Sequence, residues 1–136
     1  MSNSIVEIED TKCLFVFGYN AADSHPIVAR RIVKAKEKGA KIIVCDPRYI
    51  ETARLADLHL ALKNGSNIAL LNAIANVIIE EKLYDKSFIE NHTEQFDEYC
   101  QLVASYTPES VEKTTGLSAQ IIREAARIDR KSTRLN

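Results

Sequence analysis

With 136 residues, 46% hydrophobic and 27% charged, the chain is long enough for one core without a metal or disulfide staple. A net charge of −1, a pI near 6.3 and a mean hydropathy of −0.18 give no basis for a binder of nucleic acid or membrane surfaces. No apolar run approaches the ~18–20 residues of a membrane span, and the opening Met1-Ser2-Asn3-Ser4 has no signal-peptide character, so no membrane insertion is expected.

The first apolar block, Cys13–Phe17, is β-branched and aromatic and stops at Gly18. Nothing in it alternates with polar residues, which predicts a strand buried on both faces. Residues 18–26 read as a loop into a helix whose first position is Pro26, with a capping side chain just before it. Ile27, Val28, Ile32 and Ala35 form the helix's apolar stripe, and Gly39 ends it as a left-handed cap. The interleaved Arg30, Arg31, Lys34, Lys36 and Lys38 predict a solvated face. Lys41–Cys45 is a second buried strand closed by Asp46-Pro47-Arg48, completing a βαβ unit with a parallel pair. Residues 58–62 suggest a third short strand and 63–67 a turn, with Ser66 or Asn67 capping a strongly apolar helix over 68–81.

The second half changes character. Asp85, Thr93, Thr107 and Ser118 each precede a helix-like stretch, giving helices over 86–91, 95–104, 108–114 and 118–128. The fold class is α/β: a Rossmann-like parallel sheet of two to three strands with a helical C-terminal half. So thin a sheet is incomplete for a doubly wound fold, and a central strand is expected to be missing.

In parallel sheets ligands bind at the carboxyl ends of the strands, which here are the loops 18–24, 45–48 and 62–67. Their turns and short polar side chains suit a nucleotide's phosphates, ribose and base, although ordinary βα turns look the same. A standard NAD site is disfavoured, because Gly18 stands alone where three glycines are needed, and no phosphate-binding P-loop is present. His25, His59 and His92 are scattered and read as surface or capping histidines. Cys45 reads as a small core residue rather than a nucleophile. The three cysteines form no CxxC pair, so no zinc or iron–sulfur site is expected within the chain, and a reduced, cytoplasmic compartment is expected. No catalytic constellation is evident.

Three segments at these loops carry a resemblance. They are Phe17-Gly18-Tyr19-Asn20-Ala21-Ala22-Asp23-Ser24-His25-Pro26, then Val44-Cys45-Asp46-Pro47-Arg48 with Glu51-Thr52-Ala53 and Ala56-Asp57, then Leu62-Lys63-Asn64-Gly65-Ser66-Asn67 running on to Asn72. In this order and spacing the chain resembles the molybdopterin oxidoreductase family over about residues 3–128. The Lys-Asn-Gly-Ser-Asn form of the last segment makes it most similar to the formate dehydrogenase α subunits. The resemblance implies that residues 1–128 are part of a Rossmann-like domain holding one molybdopterin guanine dinucleotide of a bis-cofactor around molybdenum or tungsten. Gly18, Asn20, Asp23 and Ser24 would line the first phosphate or pterin-side loop. Cys45, Asp46 and Arg48 would lie by the guanosine, with Asp46 accepting from ribose hydroxyls, while Leu62, Gly65 and Asn67 would close the pocket.

The family's 4Fe–4S cluster motif, its metal-ligating cysteine or selenocysteine and its catalytic histidine and arginine have no counterpart here, so no catalytic or metal-ligating residue is assigned. The chain is therefore expected to be an internal fragment, inactive alone. Its partners would be the remainder of its own catalytic subunit and electron-transfer subunits. An uncovered sheet edge makes poor solubility the expectation. Asp129–Asn136 back-translates as the run of a common sequencing adapter, and residues 129–136 are expected to be an artefact. The readings weighed against the formate one are a nitrate reductase-like member and a non-catalytic relative, as in the large peripheral subunit of NADH dehydrogenase.

Overall fold

In the computed structural model residues 4–132 are described; the last four residues of the expected artefact therefore lie outside the described residues. The described residues divide into two compact units, residues 4–61 with 131–132, and residues 62–130.

The first unit is built on a parallel sheet. Strand β1 (Cys13–Phe17) pairs with β2 (Lys41–Cys45), from Cys13 opposite Lys41 to Phe17 opposite Cys45, and β2 pairs with β3 (Leu58–Leu60). The order is β1-β2-β3, so β2 is central and all three strands end on the same side. Ile42, Ile43, Val44 and Cys45 of β2 are all buried, as expected for a strand without alternation. In β1, by contrast, only Val16 is buried, which corrects the expectation of two buried faces. Its position at the edge of this sheet explains the difference: it has a strand neighbour on one side among the described residues.

Helix α1 (Ala21–Ser24) is one turn inside the stretch read as loop, and α2 (Pro26–Glu37) follows with proline at its start. His25 precedes α2 but its side chain makes no capping bond, contrary to expectation. At the other end the prediction holds: Gly39 takes φ +95°, its N–H reaches the Lys36 carbonyl at 2.9 Å and that of Ala40 the Ala35 carbonyl at 3.0 Å. That pair of bonds is a Schellman motif. Ile32 of α2 packs with Val16, Ile42 and Val44 of the sheet and with Ala21, Ile50 and Ala53. The basic run is less solvated than read. Arg31 and Lys34 pair with Glu9, Lys38 with Asp10, and Lys36 and Lys41 with Asp57. Glu9 and Asp10 belong to a 3-10 segment, Ile5–Asp10, and a second 3-10 segment, Glu51–Leu55, precedes Asp57.

The second unit is helical: α3 (Asn67–Glu80), α4 (Lys86–His92), α5 (Phe96–Val103), α6 (Pro108–Thr115) and α7 (Ala119–Ser132). Leu70, Ala73, Ile74 and Val77 of α3 are buried with Val103, Val111, Ile122, Ala125 and Ala126, and α3 packs on α5 and α6. Asp85 and Thr107 cap as expected, each accepting a backbone N–H three residues on, from Phe88 and Ser110. Thr93 does not start a helix. Its hydroxyl donates back to the Ile89 carbonyl at 2.6 Å, and α5 begins after Gln95, which takes φ +56° without a capping bond. Among the described residues no helix is long and apolar enough to cross a membrane.

Candidate functional site at the strand ends

The loops after β1 and β2 lie side by side because the strands are parallel and in register. Beyond Phe17 the ladder gains one more bond, from Gly18 N–H to the Cys45 carbonyl at 2.9 Å. Gly18 itself takes φ +58°, in the left-handed region that turns the chain out of the strand, and a Cβ there would meet open space.

Asn20 and Asp23 are brought together: the Asn20 Nδ2 donates to Asp23 Oδ2 at 2.5 Å. The Asn20 Oδ1 in turn accepts from the hydroxyl of Thr52, a buried residue of the second 3-10 segment, at 3.2 Å. Ser24 closes α1 through its N–H to the Asn20 carbonyl at 3.1 Å and is exposed.

Asp46 follows directly on β2 and is 3% exposed. Its Oδ1 accepts both the backbone N–H of Arg48 at 2.9 Å and the Arg48 Nε at 3.3 Å. This is an Asx-type turn, which explains why the chain reverses at Asp46-Pro47-Arg48. Among the described residues Oδ2 receives no protein donor. The Arg48 side chain is largely exposed beyond its Nε. Below the turn, the His59 Nε2 lies 2.9 Å from the Asp46 carbonyl, and the Tyr49 ring meets His59 edge-on with centroids 5.4 Å apart. His59 is thus a half-buried brace of the loop, not the surface or capping residue read from sequence.

Cys45 is buried beneath this turn, as expected of a core residue. Burial, with the Asp46 charge second, pushes its thiol up to about 12, which removes it as a nucleophile at neutral pH.

In the second unit, Leu62 is buried and Gly65 takes φ +82° with open space where a Cβ would stand. Ser66 occupies the N-cap position of α3 but makes no capping bond. Its hydroxyl donates to the Lys63 carbonyl at 2.6 Å, tightening the 63–66 turn. Asn67 is the exposed first residue of α3. The turn is further fixed by the Lys63 N–H on the Thr115 carbonyl at 2.8 Å.

Two residues have a place here that sequence reasoning misses: Thr52, which holds Asn20, and His59, which braces the Asp46 turn. Thr52 stood in the Glu51-Thr52-Ala53 segment, but a hydroxyl's partner so distant in sequence leaves no local signal.

A family model described as molybdopterin oxidoreductase matches residues 1–130. The chain is 67% identical over 128 residues to formate dehydrogenase H of Escherichia coli K12, covering 94% of this chain and 18% of that protein. It is 50% identical over 128 residues to the F420-dependent formate dehydrogenase 1 subunit alpha of Methanococcus maripaludis, covering 94% of this chain and 19% of that one. Among solved structures, acetylene hydratase from Pelobacter acetylenicus superposes with a TM-score of 0.87 at 32% identity, over 96% of this chain and 19% of that chain. The chain thus spans about a fifth of the length of these relatives. On a match that runs through nearly its whole length, this chain belongs to the molybdopterin oxidoreductase family.

Proposed function

We propose that this chain is part of a formate dehydrogenase α subunit and helps to hold one guanine dinucleotide of its bis-molybdopterin cofactor. The single observation that carries the formate reading is the 67% identity to formate dehydrogenase H across 94% of the chain. The strand-end residues fit such a group. Asp46 is a buried acceptor with Oδ2 unclaimed among the described residues, and a carboxylate there suits ribose hydroxyl donors. Gly18 lets a ligand approach the backbone, with no Cβ in the way. Arg48 is tethered through Nε while its outer guanidinium stays accessible to a phosphate or base. Asn20, Asp23 and Ser24 present short polar groups on the first loop. Cys45 contributes as a neutral, buried group under the second loop. For Leu62, Gly65 and Asn67 the proposal rests on the resemblance.

When bound, the molybdenum or tungsten centre supplies the two-electron chemistry, HCOO⁻ → CO₂ + H⁺ + 2 e⁻. The residues of this chain bind and orient the nucleotide end of the cofactor. The parent subunit is further proposed to be cytoplasmic, to carry a 4Fe–4S cluster ligated outside this chain, and to pass electrons to partner subunits.

The test is to express the full reading frame that contains this sequence and assay formate-dependent reduction of a viologen dye. Dye reduction with release of CO₂ is the expected result. Nitrate-dependent oxidation of reduced viologen without formate turnover would transfer the chain to the nitrate reductase reading. Neither activity, together with no bound guanine nucleotide, would favour the non-catalytic relative.

A further inference from the structure

We infer that Thr52 is a positioning residue for the cofactor loop, acting through the side chain of Asn20; the inference rests on the cofactor reading above. The Thr52 hydroxyl donates to Asn20 Oδ1 at 3.2 Å, and Asn20 Nδ2 donates to Asp23 Oδ2 at 2.5 Å. The two bonds leave the Asn20 amide one orientation. A flipped amide would turn its oxygen onto the Asp23 carboxylate, setting two acceptors face to face. In the observed orientation Asp23 takes one amide N–H, and the Asn20 Oδ1 needs a donor from the other side. Thr52 supplies it from a fixed place, because it is 3% exposed and its neighbour Ala53 belongs to the core beneath the sheet. The second 3-10 segment thereby couples its position to the loop after β1. One N–H of Asn20 Nδ2 remains beyond the bond to Asp23, and this is the group whose direction Thr52 fixes.

A cavity of about 240 Å³ beside Thr52 is lined by Ala22, Ile32, Val33 and Leu55 together with Glu51 and Arg54. A methyl in place of the hydroxyl keeps the side chain's volume but leaves Asn20 Oδ1 without its donor, and the thermal midpoint of the cofactor-free form reads any general loss of stability separately.

The experiment uses the full-length holoenzyme and four variants: Thr52→Val, Thr52→Ser, Asn20→Ala and the double variant Thr52→Val/Asn20→Ala. Acid-released GMP per subunit is measured after a timed wash in mild urea, alongside the thermal midpoint of the cofactor-free form. Thr52→Val is expected to lower retained GMP by about five- to tenfold, the loss of one hydrogen bond's net contribution. Thr52→Ser, which keeps the hydroxyl, should retain GMP within about twofold of the parent. In the Asn20→Ala background the added Thr52→Val should change little, since the two act as one unit. Retention by Thr52→Val equal to the parent would overturn the inference. So would a Thr52→Ser variant as poor as Thr52→Val, or additive losses in the double variant. Asp46→Asn is run in parallel. If it too retains all its GMP, the cofactor reading itself falls; if it alone loses GMP, only the role of Thr52 falls.

Discussion

The N–H of Gly18 donates to the carbonyl of Cys45 at 2.9 Å, one step past the last paired residues of β1 and β2. This bond ties the loop after β1 to the loop after β2 and depends on Gly18 turning through φ +58°. An alanine there has room for its Cβ but must adopt a left-handed backbone, at a cost of roughly 1–2 kcal/mol. Gly18→Ala in the full-length subunit should lower the thermal midpoint and speed amide exchange over residues 13–17, with Gly18→Asn milder than Gly18→Ala. Equal effects of the two substitutions would show that conformation is not the cause.

Asp57 carries a second prediction, in pH. Burial alone would raise its carboxyl, but hydrogen bonds from Lys36, the Ile42 N–H and Lys41, with the Lys36 charge, hold it down at about 2. A depressed folded-state pKa means stability that is present above the unfolded value of 3.8 and lost as pH falls through about 2. Asp57→Asn should therefore destabilise by about 1–2 kcal/mol near neutral pH, allowing for screening of partly exposed partners. The difference from the parent should shrink below about pH 4 and be lost as the pH falls below about 2. Amide exchange of Ile42 reports it locally. A difference independent of pH would contradict this account.

Cys45 should be inert. Its thiol is 1% exposed and pushed up to about 12, so pulse alkylation of the native enzyme at pH 8 should leave it unmodified, with labelling only after denaturation. Native-state labelling read by peptide mass spectrometry would show that the turn above it opens.

Residues 1–128 expressed alone should unfold without a cooperative transition and bind a hydrophobic dye. Ile27, Ile68 and Tyr49 are 73%, 72% and 69% exposed, and Leu14, Phe15 and Phe17 on the edge strand are only half-buried. A sharp thermal transition without dye binding would refute this.

Elements with a strong local signal were legible in the sequence. In β2 the run over residues 42–45 is unbroken and apolar; α2 has Pro26 at its start and Gly39 past its end, and both elements were placed to within a residue. Capping by Asp85 and Thr107 was legible because the donor lies three residues away. Thr93 misled for a related reason: a threonine can accept from the helix ahead or donate to the helix behind, and here it donates to Ile89. The 3-10 segments were not legible, since a single turn lacks periodicity, although Ser4 and Glu7 form a capping box. The edge status of β1 was hidden too, because strand order is set by pairings distant in sequence. At the site, the turn residues Gly18 and Asp46 were legible from their chemistry. Thr52 and His59 act across 32 and 13 residues, and no spacing rule reaches that far.

The most direct test of the central claim is guanine nucleotide content in Asp46→Asn. Asparagine keeps one oxygen for the Arg48 N–H, so the turn survives, but replaces the unclaimed Oδ2 with a donor. Acid-released GMP per full-length subunit should fall about tenfold or more, as expected for losing an ionised acceptor of ribose hydroxyls. GMP content equal to the parent's would contradict the assignment of this strand-end turn to the cofactor.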